Sequence, residues 1–137
     1  MNKTPKIADI YFDEQTGIIR MTLNGFVITR HYRKAWQDAL NLAKKHNCQS
    51  WLIDLSSFKG AHNRDLEWSF GDWFEITQTG NPAQGANGGG RVSLLLPNDK
   101  IVEYLINNSL RRTSNERSTT RFECFNDERS AAGFLIQ

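Results

Sequence analysis

Residues 29–55, which read TRHYRKAWQDALNLAKKHNCQSWLIDL, contain the pattern that decides the fold. In the first part of this stretch, apolar residues recur at the spacing of an α-helix and therefore share one face. They are Tyr32, Trp36, Ala39, Leu40 and Ala43. The compact apolar run at residues 51–55 then predicts a buried β-strand. A half-buried helix that leads into a buried strand is a unit of an α/β protein.

The residues before this stretch predict a β-hairpin. Residues 7–12 and Ile18–Leu23 are both rich in apolar side chains, and the loop between them ends in Gly17. A short loop that ends in glycine suits a hairpin connection. The first two strands are therefore expected to pair antiparallel.

The residues after the stretch repeat the alternation of helix and strand. A second helix is expected to begin with Asn63 as its N-cap. Its predicted inner stripe consists of Leu66, Phe70, Trp73, Phe74 and Thr77. The glycine-rich residues 80–90 predict a mobile loop, and residues 92–96 predict another buried strand.

A third helix is expected after a cap at Asn98 or Asp99. Its predicted inward residues are Ile101, Val102, Leu105 and Ser109. A polar connector at 111–120, a strand at Arg121–Phe125 and a short final helix over Ala131, Ala132 and Leu135 complete the chain. The predicted fold class is α/β in the order ββαβαβαβα, with a mostly parallel mixed sheet and right-handed crossovers.

The composition indicates one ordinary globular domain over residues 1–137. Hydrophobic residues make up 39% and charged residues 23%, and the net charge of +2 is too small to indicate a nucleic-acid partner. Residues 1–6 are polar, which predicts a flexible N-terminus rather than a signal peptide, and the apolar runs are too short for an integral membrane segment. Cys48 and Cys124 belong to no cluster, which favours a reducing compartment. We therefore expect a cytoplasmic protein.

One group of polar residues has the types that a catalytic site needs. Asp54, Ser56, Ser57 and His62 lie at or after the end of a predicted strand, where open α/β sheets bind ligands. Because no G-x-S-x-G turn presents a serine, side chains that satisfy loop amides are the favoured alternative. The histidines lack the spacing of metal ligands. We expect no metal, no cofactor and no enzymatic activity.

Trp68 does not fit the inner stripe of the second predicted helix. At 3.6 residues per turn its side chain points away from Leu66 and Phe70. Two interpretations remain open: the adjoining loop covers the ring, or the ring contacts a partner protein or a second copy of the chain.

Several segments together resemble a known family. The sequence SWLIDL at Ser50 to Leu55 and EWSFGDWF at Glu67 to Phe74 resemble small bacterial STAS-like (SpoIIAA-like) proteins. The resemblance extends to Tyr11, the pair Asn24 and Gly25, the segment RVSL at 91–94 and the segment FND at 125–127. It implies an α/β sandwich of the anti-sigma-factor-antagonist type, which docks on proteins or holds small or lipidic molecules. The phosphorylatable Asp-Ser motif of true antagonists would fall at residues 61–65, AHNRD, which contain no serine.

The first functional hypothesis is a STAS-like regulatory module that docks on a partner protein or on itself, through the surface around the second helix. The candidate binding residues are Ser56, Ser57, His62, Arg64, Trp68, Trp73 and Phe74. The alternative is a carrier or sensor of a small apolar ligand in a pocket between sheet and helices. That pocket would be lined by Trp36, Trp73, Phe74 and Tyr104, with the glycine-rich loop as its lid. An enzyme ranks third, because no nucleophile or acid–base pair stands out.

Overall fold

The computed structural model describes residues 7–48, 50–73, 91–113 and 121–136. The predictions for residues 1–6, for Phe74 and for the loop at 80–90 lie outside this part of the chain. Its strands are β1 (Ala8–Asp13), β2 (Ile18–Leu23), β3 (Gly25–Phe26), β4 (Ser50–Asp54), β5 (Phe58–Gly60), β6 (Arg91–Leu95) and β7 (Arg121–Phe125). Its helices are α1 (Thr29–His46), α2 (Asn63–Glu67), which continues as a π-helical segment (Trp68–Trp73), α3 (Lys100–Thr113) and α4 (Glu128–Leu135).

Five of the strands form one mixed sheet in the order β1-β2-β4-β6-β7. The hairpin strands β1 and β2 are antiparallel, and every other neighbouring pair in this sheet is parallel. This arrangement confirms the predicted mostly parallel α/β sheet. The small strands β3 and β5, which pair parallel as a separate ribbon, were not predicted. They are two and three residues long, too short for an alternating pattern.

The two faces of the sheet are covered by different helices, because successive side chains of a strand point to opposite faces. On one face, Trp51 and Ile53 of β4 belong to the main core beneath α1, α2 and α3. On the other face, Leu52 packs with Ile18 and with the inner residues of α4. The prediction for α4 is confirmed, since Ala131 and Leu135 are buried there. Ser93, on this second face, donates its hydroxyl to the Ala131 carbonyl at 2.7 Å.

Helix α1 agrees with its predicted stripe: all five predicted apolar residues are buried. Helix α3 differs. Asp99 caps it, accepting from the amides of Ile101 and Val102 at 3.0 and 3.3 Å. Val102 and Ile106 then face the core, whereas Ile101 is 73% exposed, so its predicted inward orientation is wrong. With Val102 facing inward, the turn of the helix places its neighbour Ile101 on the outer side.

Two further boundaries are corrected. His62, not Asn63, is the N-cap of α2, and it caps through its backbone: its carbonyl accepts from the amides of Asp65 and Leu66. The helix begins one residue earlier than predicted, because His62 is the last residue with extended dihedral angles and Asn63 is already helical. Helix α3 also continues to Thr113, into the stretch predicted to be a polar connector.

Candidate functional site

The carboxyl ends of β2, β4, β6 and β7 meet at one edge of the sheet, which we call the carboxyl edge. Backbone hydrogen bonds hold its loops together. The amide of Gly25 donates to the Ser57 carbonyl, and the amide of Val27 donates to the Gly60 carbonyl, both at 2.9 Å. Gly60 has a φ of 122°, a conformation that side chains other than hydrogen rarely allow. These bonds fix β3 beside β5 and bring together segments that are distant in sequence.

At this edge, the polar residues with catalytic potential form local hydrogen bonds within the chain. The Asp54 carboxylate accepts from the amide of Ser56 at 2.9 Å and from its hydroxyl at 2.6 Å. This is a local Asx turn, the arrangement expected when such side chains satisfy loop amides. Ser57 contributes its backbone carbonyl to the contact with Gly25, and its side chain is exposed.

His62 lies next to an apolar neighbour that was not predicted. Its exposed ring meets the ring of Phe26 edge to face, with centroids 5.4 Å apart. Phe26 belongs to β3 and is itself 54% exposed. The ring of Phe26 also lies 3.6 Å from the position that a Cβ would take on Gly60. The side chain of Phe26 is therefore placed by the turn between β5 and α2.

Among the large apolar side chains exposed at the carboxyl edge, four lie on the connections that follow β2 and β6, and we call these four the edge patch. They are Phe26, Ile28, Ile101 and Tyr104. Phe26 and Ile28 follow the end of β2, whereas Ile101 and Tyr104 lie on the first turns of α3, which follow the end of β6. Helix α3 contacts β5, and β5 is paired with the strand that carries Phe26. The patch therefore combines two connections of the sheet, β2–α1 and β6–α3, with β5 between them.

Only weak signals for this patch are present in the sequence. Phe26 and Ile28 are apolar residues in a short connection, on no strand or helix stripe. Tyr104 was assigned to the lining of an internal pocket, but it is 63% exposed. Trp36, its proposed partner in that pocket, is buried between Tyr32 and Phe70. These two predicted lining residues therefore lie in different environments, one in the core and one in solvent.

Beside the edge, α1 and α2 meet through buried polar groups, and we call this contact the α1–α2 junction. Asp65 of α2 is only 1% exposed. Its carboxylate accepts from the Thr29 hydroxyl at 2.6 Å and from Arg33 Nε at 3.1 Å. A buried carboxylate needs such partners, because burial without them would be costly. Asp65 therefore connects the two helices at their first turns.

A second polar contact lies deeper in the same junction. The Tyr32 hydroxyl and the Ser69 hydroxyl are 2.8 Å apart, and Ser69 also donates to the Leu66 carbonyl at 3.1 Å. Burial raises the pKa of the Tyr32 phenol, and the nearby Asp65 carboxylate raises it further. Tyr32 is consequently neutral over the physiological pH range and able to donate.

The remaining predicted binding residues are distributed around the junction. Trp68 is half-buried and packs against the main core, with the Arg33 guanidinium 4.6 Å from the centre of its ring. A side chain of α1 therefore covers part of Trp68, and the loop predicted to adjoin it lies outside the described residues. Arg64 is exposed on α2. Trp73 ends the π-helical segment, whereas its side chain and all of Phe74 lie outside the described residues.

Comparison with known proteins bears on the fold. A search of protein-family models finds no match, and no curated protein matches in sequence. Among solved structures, the chain is similar to an uncharacterized DUF3478-family protein from Shewanella loihica PV-4, which has a SpoIIAA-like fold. The TM-score is 0.59 at 16% sequence identity, over 98% of each chain. This chain has a SpoIIAA-like fold.

That likeness confirms the fold implied by the sequence resemblance, and it extends over the whole α/β sheet. At this identity it carries no information on a binding partner or an activity. In the described part of the chain, no three His, Cys, Asp or Glu side chains converge in a way that could hold a metal ion. None of the helices described there is both long and apolar enough to cross a bilayer.

Proposed function

We propose that this SpoIIAA-like chain is a non-enzymatic regulatory module that docks on a partner protein through the edge patch. The observation that carries the proposal is the exposure of Phe26, Ile28, Ile101 and Tyr104 at a single edge of the sheet. Isolated exposed apolar residues are common on soluble proteins, whereas a cluster of large ones is typical of an interaction site. Aromatic anchors such as Phe26 and Tyr104 are the residues that dominate protein interfaces.

The charges around the edge patch favour an acidic partner. Exposed cations lie near the patch: Arg30 and Lys100 are close to patch residues in sequence, and Lys59 and Arg64 flank the segment that contacts Phe26. The nearby acids have partners within the chain: Asp54 accepts from Ser56, Asp99 caps α3, and Glu103 pairs with Lys100 at 3.5 Å, which leaves Arg30, Lys59 and Arg64 for a partner. Complementary charges speed association and select partners. We therefore expect the partner to present apolar anchors surrounded by Asp and Glu.

The use of the polar side chains supports a non-enzymatic role. Asp54 and Ser56 bind each other in a local turn, and Asp65 is buried against Thr29 and Arg33. A general base must be able to reach a substrate proton, and a carboxylate enclosed by structural partners is poorly placed for that task. We propose no phosphorylation switch of the Asp-Ser type, because residues 61–65 contain no serine.

We also propose that the protein is cytoplasmic. Cys48 and Cys124 are both free thiols. Burial raises the pKa of each thiol above its usual value, so that both are protonated and unreactive near neutral pH. Free, unpaired thiols are usual in reducing compartments.

The test is affinity capture followed by reconstitution with the purified captured protein. Ile101→Ser and Tyr104→Ser should each weaken the reconstituted complex by about tenfold or more, as truncated interface anchors do. Ile136→Ser is the matched control, because Ile136 is 68% exposed but follows α4, at the opposite edge of the sheet. Equal affinity of the Ile101→Ser variant and the control would contradict the proposal. Native mass spectrometry of the purified protein checks the carrier alternative, which requires a co-purifying small molecule.

A further inference from the structure

We propose that two copies of this chain pair through their β1 strands, in a two-fold dimer that continues the sheet from one copy into the other. This surface is separate from the edge patch, so the inference does not depend on the docking proposal. Among the described residues β1 is an edge strand, with β2 on one side only. Edge strands present unpaired backbone groups, which are a template for pairing with another strand.

The hydrogen bonds of the hairpin show which backbone groups point outward. The Ile7 carbonyl accepts from Asn24, and the Asp13 carbonyl accepts from Gly17, so the odd-numbered residues of β1 bond toward β2. Bonding alternates along an antiparallel strand. The amides and carbonyls of Ala8, Ile10 and Phe12 therefore point away from the sheet, toward a second strand.

The charges of β1 select one register for two antiparallel copies. Pairing Ile10 with Ile10 places Asp9 of one copy opposite Tyr11 of the other. If the register is shifted by two residues in one direction, Asp9 of one copy lies opposite Asp9 of the other. If it is shifted by two residues in the other direction, Asp9 lies opposite Asp13. Like charges directly opposite each other destabilise strand pairing. The favoured register is therefore the one centred on Ile10.

A groove beside β1 provides the second part of the interface. It has a volume of about 500 Å³ and is bounded by β1 and by one flank of α1. The α1 residues that line it follow helical spacing and form a single stripe: Asp38, Asn41, Leu42 and Lys45. The stripe is acidic at its first end, apolar in the middle and basic at its last end.

The alignment of α1 with β1 makes this stripe complementary to itself. Helix α1 runs parallel to β1, and the stacked rings of Phe12 and His46, 4.0 Å apart, fix their relative position. Ile10 lies about 7 Å before Phe12 along the strand. Because a helix rises about 1.5 Å per residue, the same distance along α1 ends about four or five residues before His46. The middle of the stripe, at Asn41 and Leu42, is therefore level with Ile10.

A two-fold axis through the paired Ile10 residues consequently relates the two helices as well. The axis is perpendicular to the sheet, so both copies of α1 lie on the same face and run antiparallel. Asp38 of one copy then faces Lys45 of the other, twice, with Leu42 near the axis. Asp38 already accepts from Lys34 at 2.8 Å, and its exposed carboxylate can accept from a second cation. The strand register and the helix charges, which are independent features, give the same axis.

The test is sedimentation velocity over a concentration series, with charge variants of α1. The wild type should sediment at twice the mass of the chain. Lys45→Glu and Asp38→Lys should each raise the dimer dissociation constant by about tenfold or more, because two ion pairs become repulsive. The double variant, Asp38→Lys with Lys45→Glu, restores complementarity and should return to within about threefold of the wild type. Lys44→Glu is the matched control for charge and helix position, since Lys44 is outside the stripe.

Hydrogen exchange supplies the second readout. In the dimer the amides of Ala8, Ile10 and Phe12 should gain protection, which is lost in the Lys45→Glu variant. A wild type that stays monomeric at about 100 µM, in the range of weak association, would overturn the proposal. So would a dimer that responds equally to Lys45→Glu and Lys44→Glu, or one that forms without protection of these amides. If the groove instead binds an extended peptide, the chain should stay monomeric at about 100 µM, and the proposal would be overturned.

Discussion

The α1–α2 junction and the edge patch lie side by side, yet they place polar and apolar groups in opposite ways. The junction buries a carboxylate, Asp65, and two hydroxyls, and each of these groups has a hydrogen-bond partner within the chain. The edge patch leaves four large apolar side chains in solvent. The junction is complete within the chain, whereas the patch would gain from a further protein surface. This difference is why we assign a structural role to the first region and a binding role to the second.

The largest effect on stability should come from breaking the junction. Asp65→Ala removes a buried carboxylate and leaves the Thr29 hydroxyl and Arg33 without their acceptor. Removal of one partner of a buried pair is strongly destabilising, but Arg33 is partly exposed and regains water, so we expect a loss of about 2–3 kcal/mol. Urea unfolding followed by circular dichroism measures it.

The control for this variant is Lys34→Ala, which removes an exposed ion pair between residues four apart on α1. It should change the free energy of unfolding by no more than about 0.5 kcal/mol. If Asp65→Ala were equally mild, the junction would not have the structural role assigned to it.

Two neighbouring residues of α3 sharpen the contrast between buried and exposed apolar groups. Val102 is buried and Ile101 is exposed. Val102→Ala should lower the free energy of unfolding by about 1–2 kcal/mol, because it leaves space in the core. Ile101→Ala should change it by less than about 0.5 kcal/mol. Thermal unfolding of both variants tests the helix orientation directly. A larger loss of stability for Ile101→Ala than for Val102→Ala would show that Ile101, and not Val102, faces the core.

A further effect on stability concerns Tyr32 and depends on pH. Its phenol has a raised pKa in the folded protein, chiefly because of burial. Between its unfolded pKa of about 10 and the raised folded value, the folded state binds more protons than the unfolded state, so stability falls as pH rises. Tyr32→Phe should cost about 1 kcal/mol at neutral pH and should flatten this alkaline decline. Urea unfolding at a series of pH values checks the slope, and an unchanged slope would show that Tyr32 does not cause it.

The sequence predicted those parts of the fold that have a regular pattern of burial. Both β2 and β7 have their predicted bounds, and α1 has its predicted stripe, because each contains apolar residues at the period of its secondary structure. Helix α3 has fewer apolar residues. Because Ile101 and Val102 are adjacent and both apolar, the sequence does not show which of them faces the core. The Asp99 cap and the packing of Ile106 orient the helix so that Val102 faces the core.

The candidate site was harder to predict, because it depends on contacts between loops. The ribbon of β3 and β5 forms through backbone hydrogen bonds, which do not depend on side-chain patterns. Phe26 belongs to this ribbon and is 54% exposed, so its position depends on a pairing that local sequence does not predict. His62 was singled out for possible chemistry, and the structure places it against Phe26 instead. Whether His62, Arg64 and Trp68 contact a partner remains a prediction.

Site-specific photo-crosslinking in cells tests the central claim most directly. A photoreactive phenylalanine analogue would replace Tyr104 in the edge patch and, as the matched control, Ile136, which has similar exposure at the opposite edge. The account predicts a discrete adduct with a second protein from position 104 and none from position 136. The same adduct from both positions, or no adduct from position 104, would contradict docking through the edge patch.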